Sequence, residues 1–134
     1  MEFPIIKIYT ETYLNEEELI PLFDEYIYSS KEEVFQDYYL NKEFADCKGN
    51  IYKVVDKRLP SSFWRSLLRF LPGVYKVKLI FRNTNKRIEL EELKTDLIAG
   101  IRRFYAQDTD EILEKWVQEI KNSKSIKAIL TAEA

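Results

Sequence analysis

The chain contains no histidine, and this absence narrows its chemistry more than any other count. Imidazole is the base of Ser-His-Asp and Cys-His nucleophiles, a common metal ligand, and the one side chain whose ordinary pKa lies near neutrality. Mechanisms built on it are excluded. Cysteine is nearly as scarce: Cys47 is alone, so no disulfide forms within the chain, which fits a reducing compartment. Lys48 beside it would favour the thiolate, but without an imidazole base Cys47 reads as a small half-buried residue rather than a nucleophile. Three glycines and four prolines leave little material for linkers, and no glycine-rich phosphate loop is present. Neither a cofactor nor a metal site is implied. No apolar run approaches the roughly 18 residues needed to cross a bilayer. The opening "MEFPIIKIYT" turns polar at Lys7 and lacks the sections of a signal peptide. The expectation is a small soluble cytoplasmic protein with no membrane partner.

What is present is an apolar share of 46% with 14% aromatics, too rich for disorder. A chain of 134 residues fits one domain, spanning 1–134, that buries roughly two thirds of its unfolded surface. Phe3 to Thr10, apolar and rich in isoleucine, reads as a strand. Asn15 followed by three glutamates reads as an N-cap, opening a helix with Leu19, Leu22, Phe23, Tyr26 and Ile27 on one face and Pro21 kinking it. A second short helix fits Val34 to Tyr39.

Phe44 to Cys47 and Ile51 to Leu59 flank "KGN" and resemble the arms of a hairpin. Ser61 or Ser62 would cap a helix ending at Pro72-Gly73. Val74 to Arg82 is the clearest strand of the chain, with Tyr75, Val77, Leu79 and Phe81 on one face and Lys76, Lys78 and Arg82 on the other. The polar "NTNK" predicts a turn, with Arg87 to Leu90 returning as the partner strand. Leu90, Leu93, Leu97, Ile101 and Tyr105 predict a helix by their spacing. Asp108 and Glu111 predict a capping box opening another, with Ile112, Trp116, Val117 and Ile120 inward, and a terminal turn surrounds Ile126 to Leu130. The class that results is α+β: an antiparallel sheet of about four to five strands, helices packed on one face, and a helical C-terminal third.

A formal charge of −2 conceals a segregation along the chain. Residues 1–47 hold 3 basic and 12 acidic side chains, residues 48–87 hold 11 basic and only Asp56, and residues 88–134 hold 7 basic and 10 acidic. On the middle strands Lys76, Lys78 and Arg82 form a row, Lys53 and Lys57 extend it sideways, and Arg65 and Arg69 share one side of the intervening helix. These seven cations are the candidate partner-binding patch, with Trp64 as a candidate exposed aromatic. Equally, a sheet needs a polar outer face, and acids of the first third can fold over the cations.

The functional expectation is therefore a non-enzymatic interaction protein that binds a macromolecule, a protein in preference to nucleic acid, in the manner of inhibitors, immunity proteins or adaptors. The alternatives are a nucleic-acid binder using the basic sheet face, and an enzyme working through paired carboxylates.

Overall fold

In strand β5, Lys76–Arg87, Val77 and Leu79 are buried on one face while Lys78 and Arg82 fall on the other, and this division builds the centre of the fold. The computed structural model describes residues 1–28, 32–58, 76–106 and 111–131. Five antiparallel strands form one curled sheet in the order β1-β3-β4-β5-β2, with β1 at Ile6–Lys7, β2 at Tyr26–Tyr28, β3 at Glu43–Ala45 and β4 at Asn50–Arg58. The helices are α1 (Glu32–Tyr38), α2 (Leu90–Phe104), α3 (Glu111–Asn122) and α4 (Ile126–Thr131). The fold is α+β, with the helical C-terminal third that the spacing of its leucines and isoleucines predicts. None of these helices is long and apolar enough to cross a membrane.

Opposed residues of an antiparallel ladder share a face, so register sorts the side chains. Ile6, Ala45 and Ile51 fall on one face and meet Leu93, Leu97, Ile101, Val117, Ile120, Ile126 and Leu130 from α2, α3 and α4. Phe44, Val54, Val77 and Leu79 fall on the other, with Phe35 of α1 packed against them. The hairpin between β3 and β4 is the expected one. Its Gly49 takes φ 84, and a Cβ there would stand 2.6 Å from the carbonyl oxygen of Ile88, so the turn and the close approach both require glycine.

Four expectations are revised. The first strand joins the five-stranded sheet at Ile6–Lys7, on the β1 edge, with Ile5 bridging Leu22 beside it; it goes no further because Tyr9 turns into the left-handed region at φ 67 and the amides of Tyr9 and Thr10 bond to Asp96 instead. The helix expected from Glu16 is a single 3₁₀ turn, Glu16–Leu19; Ile20 ahead of Pro21 is already extended, and Tyr26 and Ile27 join the sheet as β2. "NTNK" is no turn: β5 runs through it, taking the extra residues as a bulge with Asn85 at φ 60 and the Thr84 hydroxyl donating to the Ile51 carbonyl. Ile112, expected inward, is 71% exposed. The helix expected between Ser61 and Pro72, and Asp108 of the expected capping box, lie outside the described residues.

Helix α2 meets the N-terminal segment where it carries Gly100. A Cβ there would stand 2.8 Å from both Cβ and Cγ2 of Thr10, and 3.1 Å from Cδ2 of Leu19. Thr10 cannot swing aside, since its amide and hydroxyl are both bonded to Asp96. Helix propensity favours alanine over glycine by about 1 kcal/mol. Overpacking costs about 1–3 kcal/mol. Gly100→Ala is therefore expected to lower the urea midpoint despite the better helix former; an unchanged or raised midpoint would show that the Thr10 contact yields.

Candidate functional site

Of the seven cations in the predicted patch, the structure brings three described side chains onto one face. Lys53 stands opposite Arg82, and Lys78 lies four pairs further along the ladder with the same parity. Arg58, opposite Lys78, joins them. Lys76 stands opposite Tyr28 in the ladder, while Trp64, Arg65 and Arg69 lie outside the described residues.

Lys57 does not join this row. Between the pairs Val54–Phe81 and Asp56–Ile80, β4 carries one extra residue, Val55, so that Lys57 comes opposite Leu79 on the apolar face. There its ammonium sits 4.7 Å from the centre of the Phe35 ring and pairs with Glu32. Strict alternation from Lys53 misses the bulge.

Acids of the first third do reach the basic third. Glu2 pairs with Lys48 at 3.5 Å, Glu32 with Lys57, and Glu43 with Lys86 at 3.0 Å. Glu43 and Asp56 also share the face of Lys53 and Arg82, which dilutes its field. Among the described residues no carboxylate pairs with Lys53, Arg58, Lys78 or Arg82. Nor does any group of three or more carboxylates and thiols among them converge as a metal site would require. Cys47 is buried rather than half-buried; its thiol donates to the Pro4 carbonyl at 3.3 Å, and burial raises its pKa.

Two hollows flank the segment Glu16–Phe23, one on each side of the sheet, and neither follows from the charge pattern. The first, of about 400 Å³, is an apolar groove between this segment and the helices, lined by Leu19, Leu97, Ile101, Trp116, Ile120 and Leu130 among others. Phe23 and Ile20, at its rim, are 68% and 63% exposed. Glu16 and Glu17 edge it. The sequence signal was the helical stripe that included Phe23, but once Pro21 ends the 3₁₀ turn that side chain has no helix to bury it.

The second, of about 490 Å³, lies on the α1 side and is centred on Lys7. Lys7 shares the face of Phe44 and is 5% exposed. Its Nζ lies 2.5 Å from Oε1 of Glu18, itself 6% exposed, and between 5.6 and 5.9 Å from the ring centres of Tyr39, Tyr38, Phe44 and Tyr13. Burial holds the ammonium below its usual 10.5 although Glu18 pulls the other way. Glu18 is held in turn: the Asn15 side chain accepts from Glu17 N, and Oε2 of Glu18 accepts from the amides of Leu14 and Asn15. The one sequence trace of this site is a lysine inside the apolar run "PIIKIY", whose alternation places it with buried Ile5.

Compared with protein-family models, curated proteins and solved structures, the chain matches none. What the described residues define is a small α+β scaffold that carries an acidic-edged apolar groove, a strand face with unpaired cations and a cavity around a buried lysine.

Proposed function

We propose that the chain is a non-catalytic binding protein whose partner is another protein, taken up through the groove beside Phe23. The observation that carries this reading is the pair Ile20 and Phe23, both more than half exposed at the rim of an apolar groove. Exposed contiguous apolar surface rimmed by polar groups is what interaction sites present. Charge states the partner's chemistry. The residues around the rim belong to the third of the chain with 12 acids against 3 bases, so a basic amphipathic segment is favoured, its apolar side in the groove and its cations on Glu16 and Glu17. Adaptors and inhibitors of basic proteins work through surfaces of this type.

The test uses two synthetic amphipathic peptides, one of leucine and lysine and one of leucine and glutamate, titrated against the chain by fluorescence anisotropy. The lysine peptide is expected to bind, to weaken with salt, and to lose at least tenfold in affinity with Phe23→Glu, a change of about 1.4 kcal/mol or more. Folding should be unaffected, since Phe23 is exposed. Equal binding of the two peptides, or indifference to Phe23→Glu, would refute the groove. Should the chain instead bind oligonucleotides with a steep salt dependence that Lys78→Glu and Arg82→Glu remove, the contact lies on the strand face.

A further inference from the structure

We propose that the cavity around Lys7 is a binding site for a small, mostly apolar molecule carrying one neutral carbonyl acceptor. The site is distinct from the groove: it lies on the opposite side of the sheet, against α1, and shares with the groove Glu17 and Ile20 of the segment between them.

An ammonium has three N–H donors. Among the described residues Lys7 spends one on Glu18 and has no second oxygen or nitrogen acceptor. The four surrounding rings offer their negative faces, an attraction of charge to quadrupole that leaves those donors without a lone pair to point at. Depressing the ammonium's pKa by burial also makes it a stronger hydrogen-bond donor. A buried donor without an acceptor is costly, so the site gains most from a ligand atom that accepts.

The charge around the cavity selects which acceptor. Lys7 and Glu18 neutralise one another, Lys42 acts on Lys7 from nearby, and Glu17 lines the wall. An anion would meet Glu17 and a cation would meet Lys7, whereas a carbonyl accepts without adding charge. Leu22, Val34, Tyr39 and Phe44 supply an apolar body for the remainder of the molecule. The Asn15 amide and the Tyr38 hydroxyl, bonded to each other at 3.1 Å, stand at the polar side. At about 490 Å³ the space lies within the range of ligand sites, roughly 300–1,000 Å³.

Acetophenone and ethylbenzene provide the test, since they share a shape and differ in the carbonyl. In an NMR titration acetophenone is expected to give saturable shifts at the methyl groups of Leu22 and Val34 and at the rings of Tyr39 and Phe44. Ethylbenzene should bind the same place at least tenfold more weakly. Leu22→Trp, which fills the space, should abolish both, and Lys7→Met should reduce acetophenone to the affinity of ethylbenzene. Absence of saturable shifts at Leu22 and Val34, or shifts at Leu97 and Trp116 instead, overturns the site. Equal affinity of the two probes for the unaltered chain overturns the acceptor's role, a comparison that stands even if Lys7→Met fails to fold.

Discussion

Glu18→Ala is expected to destabilise the fold by about 3–5 kcal/mol, read from urea or thermal unfolding. The change removes three acceptor contacts at once: Oε1 from the buried ammonium of Lys7, and Oε2 from the amides of Leu14 and Asn15. The ammonium would then face only aromatic rings, and breaking a buried pair by removing one partner leaves the other charge uncompensated. Lys7→Met should cost less, because Glu18 keeps both backbone donors. In the double variant Lys7→Met/Glu18→Gln part of the loss should return, since neither charge then remains buried. If Glu18→Ala costs under 1 kcal/mol by the same measurement, the pair is solvated and the buried site does not exist in solution.

The pH dependence has a definite sign. At low pH Lys7 is charged folded and unfolded alike, and the fold bears the full burial cost. Its folded pKa is lowered, so as pH rises through that value the native state loses its proton while the unfolded chain keeps it until about 10.5. Over that interval the unfolded state binds more protons, and stability attributable to Lys7 rises with pH. The buried phenols of Tyr13 and Tyr39, whose pKa values burial raises, act oppositely above about 10. Subtracting the Lys7→Met profile from that of the unaltered chain isolates the lysine. A difference profile that falls with pH below 10 would contradict a desolvated ammonium.

Asp96→Ala is the second large effect, about 2–4 kcal/mol, because charge-assisted hydrogen bonds contribute roughly 1.5–3 kcal/mol each and do not add fully. One carboxylate on α2 accepts from Tyr9 N at 2.9 Å, Thr10 N at 3.0 Å and the Thr10 hydroxyl at 3.1 Å, joining segments 86 residues apart. Arg103, two turns along the same helix, donates to the carbonyls of Thr10 and Tyr13, both at 2.8 Å. Hydrogen exchange at Tyr9 and Thr10 should accelerate in Asp96→Ala well beyond exchange in β4. Asp96→Asn, which retains one acceptor oxygen, should lose less. Equal protection in all three proteins would mean that packing around Gly100 holds the segment without the carboxylate.

Local patterns proved readable where one face meets a core. The alternation that buries Val77 and Leu79, the spacing of Leu93, Leu97 and Ile101, and the glycine of the β3–β4 hairpin are signals complete within a dozen residues. What lay beyond the sequence depends on distant partners. Whether Tyr26 and Ile27 continue a helix or join a sheet is decided by the edge of β5, fifty residues away, and by the proline that stops the 3₁₀ turn early. The readable stripe of cations overstated the patch, because bulges reassign faces without any mark in composition. Lys7 escaped notice for a related reason: an isolated lysine in a strand reads as an edge residue unless Glu18 and four rings are known to surround it.

The extra residue in β4 also bears on how the chain tolerates changes of length. Asp56, Lys57 and Arg58 already hold the parity they would have if Val55 were missing, since the ladder resumes as though that residue were not counted. Losing it would close the gap and leave every neighbour on its present side, and because Val54 is also valine, losing either residue yields the same chain; losing Asp56 would instead bring a valine opposite Ile80. Single-codon deletions along this strand thus have a permissive address at the paired valines, where the shortened strand would run without its irregularity.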